Sequence, residues 1–240
     1  DIFYRTSDGG QNWQSNTLII PVVGGFDLIR MGSFVNQNTG YVACDYGRIL
    51  KTTNAGYNWN QDSTYLKYDF SINQFWYINA QDANNVSVCG SGGKISRSTN
   101  GGTSWIQQNG FKKTLNSIFF TDDNTGYTVG DSGKILKTTD AGGNWSEQQS
   151  GTAKSLRSVF FINDNTGYAV GDTGTILVTT NGGNKWVNQN SGISTRLNSI
   201  SFGDINNGVA VGYQNVFTTT NGGDNWITTI HYTNAAELYD

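Results

Sequence analysis

The sequence contains few of the residues on which many common sites depend: its 240 residues include one proline, one histidine, two cysteines and two glutamates. Ordinary zinc sites use several His and Cys ligands, so no metal site is expected. A Ser-His-Asp catalytic unit would depend on His231 alone, close to the C-terminus, which disfavours that chemistry. We therefore expect no catalytic residues, no metal and no cofactor.

Charge and long apolar runs are also sparse. Only 14% of the residues are charged and the net charge is -3, so the protein has no general positive field to attract nucleic acid. Apolar runs of 18 or more residues do not occur, which excludes a membrane-spanning helix. The first five residues lack the charged-then-apolar layout of a signal peptide. The sequence begins inside a repeat, at strand C. Either the ring closes around this half blade with help from the C-terminal tail, or the chain is a piece of a longer protein, which we favour because open sheet edges are costly.

Turn-forming and aromatic residues are abundant, with 31 glycines, 29 asparagines and 13% Phe, Trp and Tyr. Six segments, here named boxes, match Ser/Thr-x-Asp/Asn-x-Gly-x-x-Trp. Their third and eighth residues are Asp8 and Trp13, Asn54 and Trp59, Asn100 and Trp105, Asp140 and Trp145, Asn181 and Trp186, and Asn221 and Trp226. The tryptophans follow one another after 46, 46, 40, 41 and 40 residues. This period is typical of a four-stranded propeller blade.

The clearest unit has apolar runs at 115–120, 127–130 and 134–138, separated by Asp, Asn and Gly turns and closed by a box. These runs predict strands A, B and C, with strand D after the box. We expect an all-β propeller of four-stranded antiparallel blades with a box in each C-D turn. One domain over 1–230 would hold a partial blade at 1–17, full blades at 28–62, 73–109, 115–150, 156–191 and 197–230, and a tail at 231–240. The parent ring would have six to seven blades.

The boxes are identified as Asp-box (BNR) repeats, and the fuller pattern resembles one family. The order Leu-x-Ser-Ile/Val-Phe-Phe, Asn-Thr-Gly-Tyr-x-Val-Gly-Asp-x-Gly, Ile-Leu-x-Thr-Thr and Gly-x-x-Trp is similar to the repeat of the photosystem II assembly and stability factor family. The resemblance covers nearly the whole chain and implies protein recognition without chemistry. Other Asp-box propellers include glycosidases, so the fold alone leaves function open.

The face that carries the B-C turns and D-A connections is the predicted binding face, because the boxes repeat on the other one. Two D-A connections, 14–27 and 60–72, are longer than the rest and apolar. Their predicted anchors are Ile19, Ile20, Tyr65, Leu66 and Tyr68. They form either a patch for a partner or a contact that seals the ring.

Basic residues also recur at fixed blade positions. Arg48, Lys94 and Lys134 begin strand C in three consecutive blades, followed three residues later by Lys51, Arg97 and Lys137. Strand A carries Arg30, Gln74, Asn116, Arg157 and Asn198 at positions that we align with one another, with Lys112, Lys113, Lys154 and Arg196 nearby. The predicted partner-binding cations are Arg30, Arg48, Lys94, Lys134 and Arg157. Such grouping favours an acidic peptide or an anionic glycan. The alternative is a set of solvated charges between the turn aspartates Asp45, Asp131 and Asp172.

Three readings of function follow. The first is a non-enzymatic recognition scaffold for a protein or peptide. The second is a carbohydrate binder or glycoside hydrolase, for which paired carboxylates such as Asp45, Asp131 and Asp172 would be needed, although Asp-x-Gly also suits a tight turn. The third is a spacer in a large secreted adhesin.

Asparagine-rich, proline-poor first blades favour a secreted or cell-envelope location, periplasmic or extracellular, over the thylakoid lumen. Cys44 and Cys89, which we place at one blade position, are expected to be buried thiols or a disulfide.

Overall fold

A computed structural model describes residues 2–6, 8, 10–17, 29–61, 74–108 and 111–231. The chain forms two compact units, Asp1–Gly110 and Phe111–Asp240. Regular structure in the described residues consists of β-strands and four short 3-10 turns. Among these residues, no helix has the length and apolar character needed to cross a bilayer.

Unit 1 contains a two-stranded sheet and two complete blades. In the small sheet, β1 (Ile2–Arg5) pairs with β2 (Gln14–Thr17). Blade 1 consists of β3 (Ile29–Phe34), β4 (Gly40–Cys44), β5 (Ile49–Thr52) and β6 (Asn60–Gln61). Blade 2 consists of β7 (Phe75–Ala80), β8 (Val86–Gly90), β9 (Ile95–Ser98) and β10 (Ile106–Gln108).

Unit 2 contains three blades. Blade 3 consists of β11 (Leu115–Phe120), β12 (Gly126–Gly130), β13 (Ile135–Thr138) and β14 (Ser146–Gln148). Blade 4 consists of β15 (Leu156–Phe161), β16 (Gly167–Gly171), β17 (Ile176–Thr179) and β18 (Val187–Gln189). Blade 5 consists of β19 (Leu197–Phe202), β20 (Gly208–Gly212), β21 (Asn215–Thr219) and β22 (Ile227–His231).

In every blade the four strands A to D are neighbours in sequence order and antiparallel. Strand B is fully buried in the first four blades, with all five residues shielded from solvent. Within each unit, strand A of one blade packs against strand A of the next. The expected fold class, an all-β propeller of four-stranded antiparallel blades, is therefore confirmed. The expectation of one domain over 1–230 stays a prediction.

Aromatic side chains join successive blades of unit 2. The Tyr127 ring of blade 3 stacks on Phe161 of blade 4 at a centroid distance of 4.0 Å, and Phe161 meets Trp186 edge-on at 5.9 Å. The Tyr127 hydroxyl donates to the Gly182 carbonyl in the box of blade 4 at 2.8 Å. Burial is the main cause that raises the pKa of Tyr127 to about 12. This contact couples apolar burial with a hydrogen bond that fixes the angle between the blades.

Each complete blade carries its box in the C-D turn. In blade 3, the Thr138 hydroxyl accepts from the Gly142 amide at 2.9 Å, and Asp140 accepts from the Asn144 amide at 2.8 Å. Ala141 and Gly142 have φ of 60° and 80°, a left-handed turn that suits glycine at the second position. The hydrogen bond from the Asn144 amide is the largest cause that lowers the pKa of Asp140 to about 2, followed by those from the Asn144 and Thr138 side chains. The box is thus a self-contained turn.

Candidate functional site

The two ends of each blade carry different loops and turns. We name the end with the boxes and A-B loops the box face, and the end with the B-C turns, the starts of strand A and the D-A connections the turn face. The five cations that the sequence predicted for partner binding all lie near the turn face of their own unit. The predicted apolar anchors Ile19, Ile20, Tyr65, Leu66 and Tyr68 lie outside the described residues, so their role stays a prediction.

The second residue of every strand A is the extra residue of a β-bulge, because the pairing with strand B shifts on either side of it. These residues are Arg30, Trp76, Asn116, Arg157 and Asn198. Aligning the bulges corrects the sequence-based alignment in blade 2: the equivalent residue is Trp76, and Gln74 precedes the strand. Gln74 and Trp76 are two positions apart. Neither the irregular sequence of blade 2 nor its D-A connection fixes the register of strand A.

A backbone hydrogen bond from the B-C turn, which we name the lock, holds the bulge in place. In blade 4, the amide of Asp172, the first residue of the B-C turn, donates to the Ser155 carbonyl at 2.9 Å. A Cβ at the adjoining Gly171 would lie 2.0 Å from that same carbonyl oxygen, so the close approach requires glycine. Gly90, Gly130 and Gly212 have the same restriction in their blades. The bulge geometry therefore depends on the backbone and leaves the bulge side chain free to vary.

Side chains at the bulge bond to the first residue of the B-C turn, fifteen positions later. Arg30 holds Asp45 through Nε–Oδ1 at 2.6 Å and Nη2–Oδ2 at 3.2 Å. Arg157 holds Asp172 in the same way at 3.1 and 3.2 Å. Asn116 donates from Nδ2 to the Leu156 carbonyl of the next blade at 2.8 Å. These contacts orient the bulge side chains on the turn face.

The carboxylates considered for glycoside hydrolysis are therefore engaged. Asp45 and Asp172 accept both hydrogen bonds of an arginine fork. Asp131 lies 3.4 Å from the Asn116 amide nitrogen. Acid and base catalysis by a carboxyl pair needs groups that are available to substrate. This arrangement matches structural turn residues better than a catalytic pair. The described residues contain no group of His, Cys, Asp and Glu that could hold a metal ion.

Three of the cations predicted to bind a partner are buried, half-buried or paired with an acid within the protein. Arg48 is only 3% exposed. Lys134 makes an ion pair with Glu147 at 2.7 Å. Lys94 is half-buried at the start of strand C of blade 2. Burial and pairing reduce the charge that such side chains offer to a partner. Their direct role in binding stays a prediction.

Lys51 and Lys137, which the sequence grouped with this face, lie on the box face instead. Lys51 Nζ donates to the Gly101 carbonyl at 2.7 Å, and Lys137 Nζ to the Gly182 carbonyl at 2.6 Å. Each lysine thereby bonds the box of the following blade. The reason is direction: strand C runs from the turn face to the box face, so three residues move a side chain to the other end.

The cations that remain exposed on the turn face of unit 2 are in the D-A connections. Lys112, Lys113 and Lys154 are exposed and form no ion pair within the described residues. The sequence pattern includes these lysines, but the cations that it predicts for partner binding are on or next to the strands. A loop lysine has room for its hydrated ammonium, whereas a strand position next to a turn aspartate favours an ion pair.

Charge in unit 2 is strongly divided between its two faces. Among the described residues of this unit, the turn face has six cationic and three acidic side chains, and the box face has two cationic and six acidic ones. Glu147 is counted on the turn face with its partner Lys134. On the turn face they are Lys112, Lys113, Lys134, Lys154, Arg157 and Arg196 against Asp131, Glu147 and Asp172. On the box face they are Lys137 and Lys185 against Asp122, Asp123, Asp140, Asp164, Asp204 and Asp224. An acidic protein thus presents one positive face in this unit.

The two cysteines are buried thiols and not a disulfide. Their expected equivalence is wrong by one residue. Cys44 pairs with Ile29 as Gly90 pairs with Phe75, whereas Cys89 pairs with Tyr77. Because side chains alternate along a strand, the two thiols project from opposite faces of their blades.

Bulged inner strands and box turns, repeated in five four-stranded antiparallel blades, define the fold as a β-propeller. The sequence profile described as photosynthesis system II assembly factor YCF48 matches residues 106–186 and 138–234. These matches cover 106–234, which is more than half of the 240 residues. The chain belongs to this family. No protein of curated function matches its sequence.

Solved structures share the fold at low sequence identity. A YCF48 bound to a D1 peptide is 14% identical, with a TM-score of 0.60 over 94% of this chain and 91% of that one. YCF48 from Cyanidioschyzon merolae is 17% identical, with a TM-score of 0.73 over 92% of this chain and 76% of that one. A GH74 enzyme from Niastella koreensis is 17% identical, with a TM-score of 0.65 over 85% of this chain but 38% of that one. A peptide-bound YCF48 and a GH74 enzyme thus share these blades.

Proposed function

We propose that the protein is a non-enzymatic scaffold that binds a protein or peptide partner, acidic in character, through its turn face. The observation that carries this proposal is the division of charge among the described residues of unit 2, where an acidic protein presents six cations and three acids on one face. Family membership adds support, since a YCF48 of the same fold has been solved with a D1 peptide bound.

Rigid display is the proposed mechanism. The backbone lock at Gly171 and the fork between Arg157 and Asp172 hold the turn face in one conformation before a partner arrives. Preorganisation lowers the entropy lost on binding. The exposed lysines Lys112, Lys113 and Lys154 would attract an acidic segment over a Debye length, about 8 Å at physiological salt. Affinity should therefore fall as salt rises.

For location, we propose a secreted or cell-envelope protein, with the thylakoid lumen as the alternative. Support comes from the asparagine-rich, proline-poor sequence of the first blades.

Charge reversal with a matched control tests the proposed face. The probe is a fluorescein-labelled decapeptide of alternating Glu and Gly, followed by anisotropy at two salt concentrations. Lys154→Glu should weaken binding about threefold, and the triple variant at Lys112, Lys113 and Lys154 at least about tenfold, since exposed pairs contribute up to about 1 kcal/mol each. Lys185→Glu makes the same charge change at an exposed lysine of the box face and should leave affinity unchanged.

Two results would overturn the proposal. One is a triple variant that binds the probe as tightly as the wild type. The other is an equal loss in Lys185→Glu, which would show a response to net charge without a preferred face. The variants change exposed residues only, so circular dichroism should show unaltered folding.

A further inference from the structure

Of the seven tryptophans, Trp76 is the one that lies outside the boxes. It occupies the bulge of blade 2, a position that Asn116, Arg157 and Asn198 fill in unit 2 on the same backbone geometry. The blade therefore does not need a tryptophan there. Its indole is half-buried on the turn face, so part of its ring surface remains exposed to solvent.

The Trp76 indole contacts the side chains of Ser91 and Arg30 in unit 1. Its Nε1 donates to the Ser91 hydroxyl at 3.1 Å. The Arg30 guanidinium lies over the ring, with Cζ 4.8 Å from its centroid. Arg30 is itself fixed by the two hydrogen bonds to Asp45. The result is a preorganised stack of two planar groups, of the kind that concentrates binding energy at interfaces.

Charge and hydrogen bonding at the stack restrict what it can bind. Asp45 neutralises Arg30, so the stack is a poor receptor for an anion. The Asp45 side chain is 9% exposed and its oxygens are engaged, so it offers no acceptor to the hydroxyls of a sugar. What remains is flat ring surface and Arg30 Nη1, which forms no hydrogen bond within the described residues and suits a backbone carbonyl. Proline and aromatic residues in an extended peptide present this combination.

We propose that Arg30 and Trp76 form a docking site for an apolar ring, proline or aromatic, of an extended peptide segment. The inference rests on the proposed function in that the ligand is a peptide. It adds a site in unit 1 whose binding depends on ring surface and little on charge.

The test uses three blocked pentapeptides, with Pro, Phe or Ala in the centre of four glycines, and cellotriose as a glycan probe. Nitrogen-15 spectra of the wild type follow the Trp76 indole signal, identified by its loss in Trp76→Asn, a variant that copies the bulge residue of blade 3. The Pro or the Phe peptide should shift this signal saturably. The Ala peptide and cellotriose should not.

Affinity of the fluorescein-labelled peptides, measured by anisotropy, then compares two variants. Trp76→Asn should weaken binding of the ring peptide about tenfold or more. Tyr57→Asn is the matched control, because Tyr57 also carries an arginine, Arg5, at 4.3 Å from its ring, but on the box face. It should bind as the wild type does. Lys154→Glu should also leave this affinity unchanged, which separates failure here from failure of the acidic-partner proposal.

Three outcomes would overturn the docking site. They are a Trp76 signal that neither ring peptide shifts, an equal response to the Ala peptide or cellotriose, and a Trp76→Asn protein that keeps full affinity for the ring peptides.

Discussion

The turn faces of the two units use the same backbone for different surfaces. In unit 1 the bulges carry Arg30 and Trp76, stacked on each other. In unit 2 they carry Asn116, Arg157 and Asn198 beside exposed loop lysines. The bulge and the turn that covers it are set by backbone hydrogen bonds, so the side chain can change without loss of the blade. The blade scaffold therefore does not depend on which side chain the bulge carries.

Blade 2 differs from its neighbours in the core as well. At the A-B turn of the other four blades a phenylalanine covers a glycine, as Phe161 covers Gly167, where a Cβ would lie 2.6 Å from the ring. Blade 2 has Ala80 opposite Val86 instead. A smaller residue on one strand is matched by a larger one on the next, so total volume is maintained. Such paired changes show that blades are equivalent in volume and not in sequence.

Exchanging this core pair between blades should have the largest effect. Phe161→Ala removes a buried ring that contacts Tyr127 and Trp186, and should lower the free energy of unfolding by about 3–5 kcal/mol. Adding Gly167→Val, which copies blade 2, should recover about 1.5 kcal/mol by filling the space. Urea unfolding of the two variants and of Gly167→Val alone measures both steps. If the double variant were no more stable than Phe161→Ala, the volume-exchange explanation would be wrong.

A smaller effect is expected at the lock beneath the bulge. Gly171→Ala places a methyl group against the Ser155 carbonyl and should cost about 1–3 kcal/mol, because the backbone must move. Blade 1 has Cys44 in place of glycine at the same register. Gly203→Ala is the control, since a Cβ at Gly203 meets no heavy atom within 4 Å. Equal thermal stability of the two variants would contradict the lock.

The smallest effect concerns acid sensitivity of the boxes. Asp140 has its pKa lowered from 3.8 to about 2, so its stabilising contribution is full above pH 4 and is lost as pH falls toward 2. Asp140→Asn, the residue type of the box in blade 4, should therefore make stability less dependent on pH in this window. Asn181→Asp should do the reverse. Urea midpoints between pH 5 and pH 2.5 measure both, and parallel curves for the two variants would refute the assignment.

Much of this architecture could be predicted from the sequence because it repeats. Six boxes in phase, each with its tryptophan, fix the blade period and the position of the C-D turns. The register of irregular blade 2 could not be fixed in this way, and Gln74 was aligned in place of Trp76. A bulge adds one residue to a strand without a sequence signal of its own, so only pairing with the neighbouring strand shows which residue is extra.

The sequence by itself determined the blade, because turn chemistry and strand alternation act over a few residues and recur every 40 to 46 positions. Only the tertiary structure decided which cations remain available to a partner. Arg30 and Arg157 are bound by aspartates fifteen residues away, Lys137 reaches a box forty-five residues away, and Lys112, Lys113 and Lys154 stay exposed. Charge availability depends on neighbours in space, and a one-dimensional pattern does not specify them.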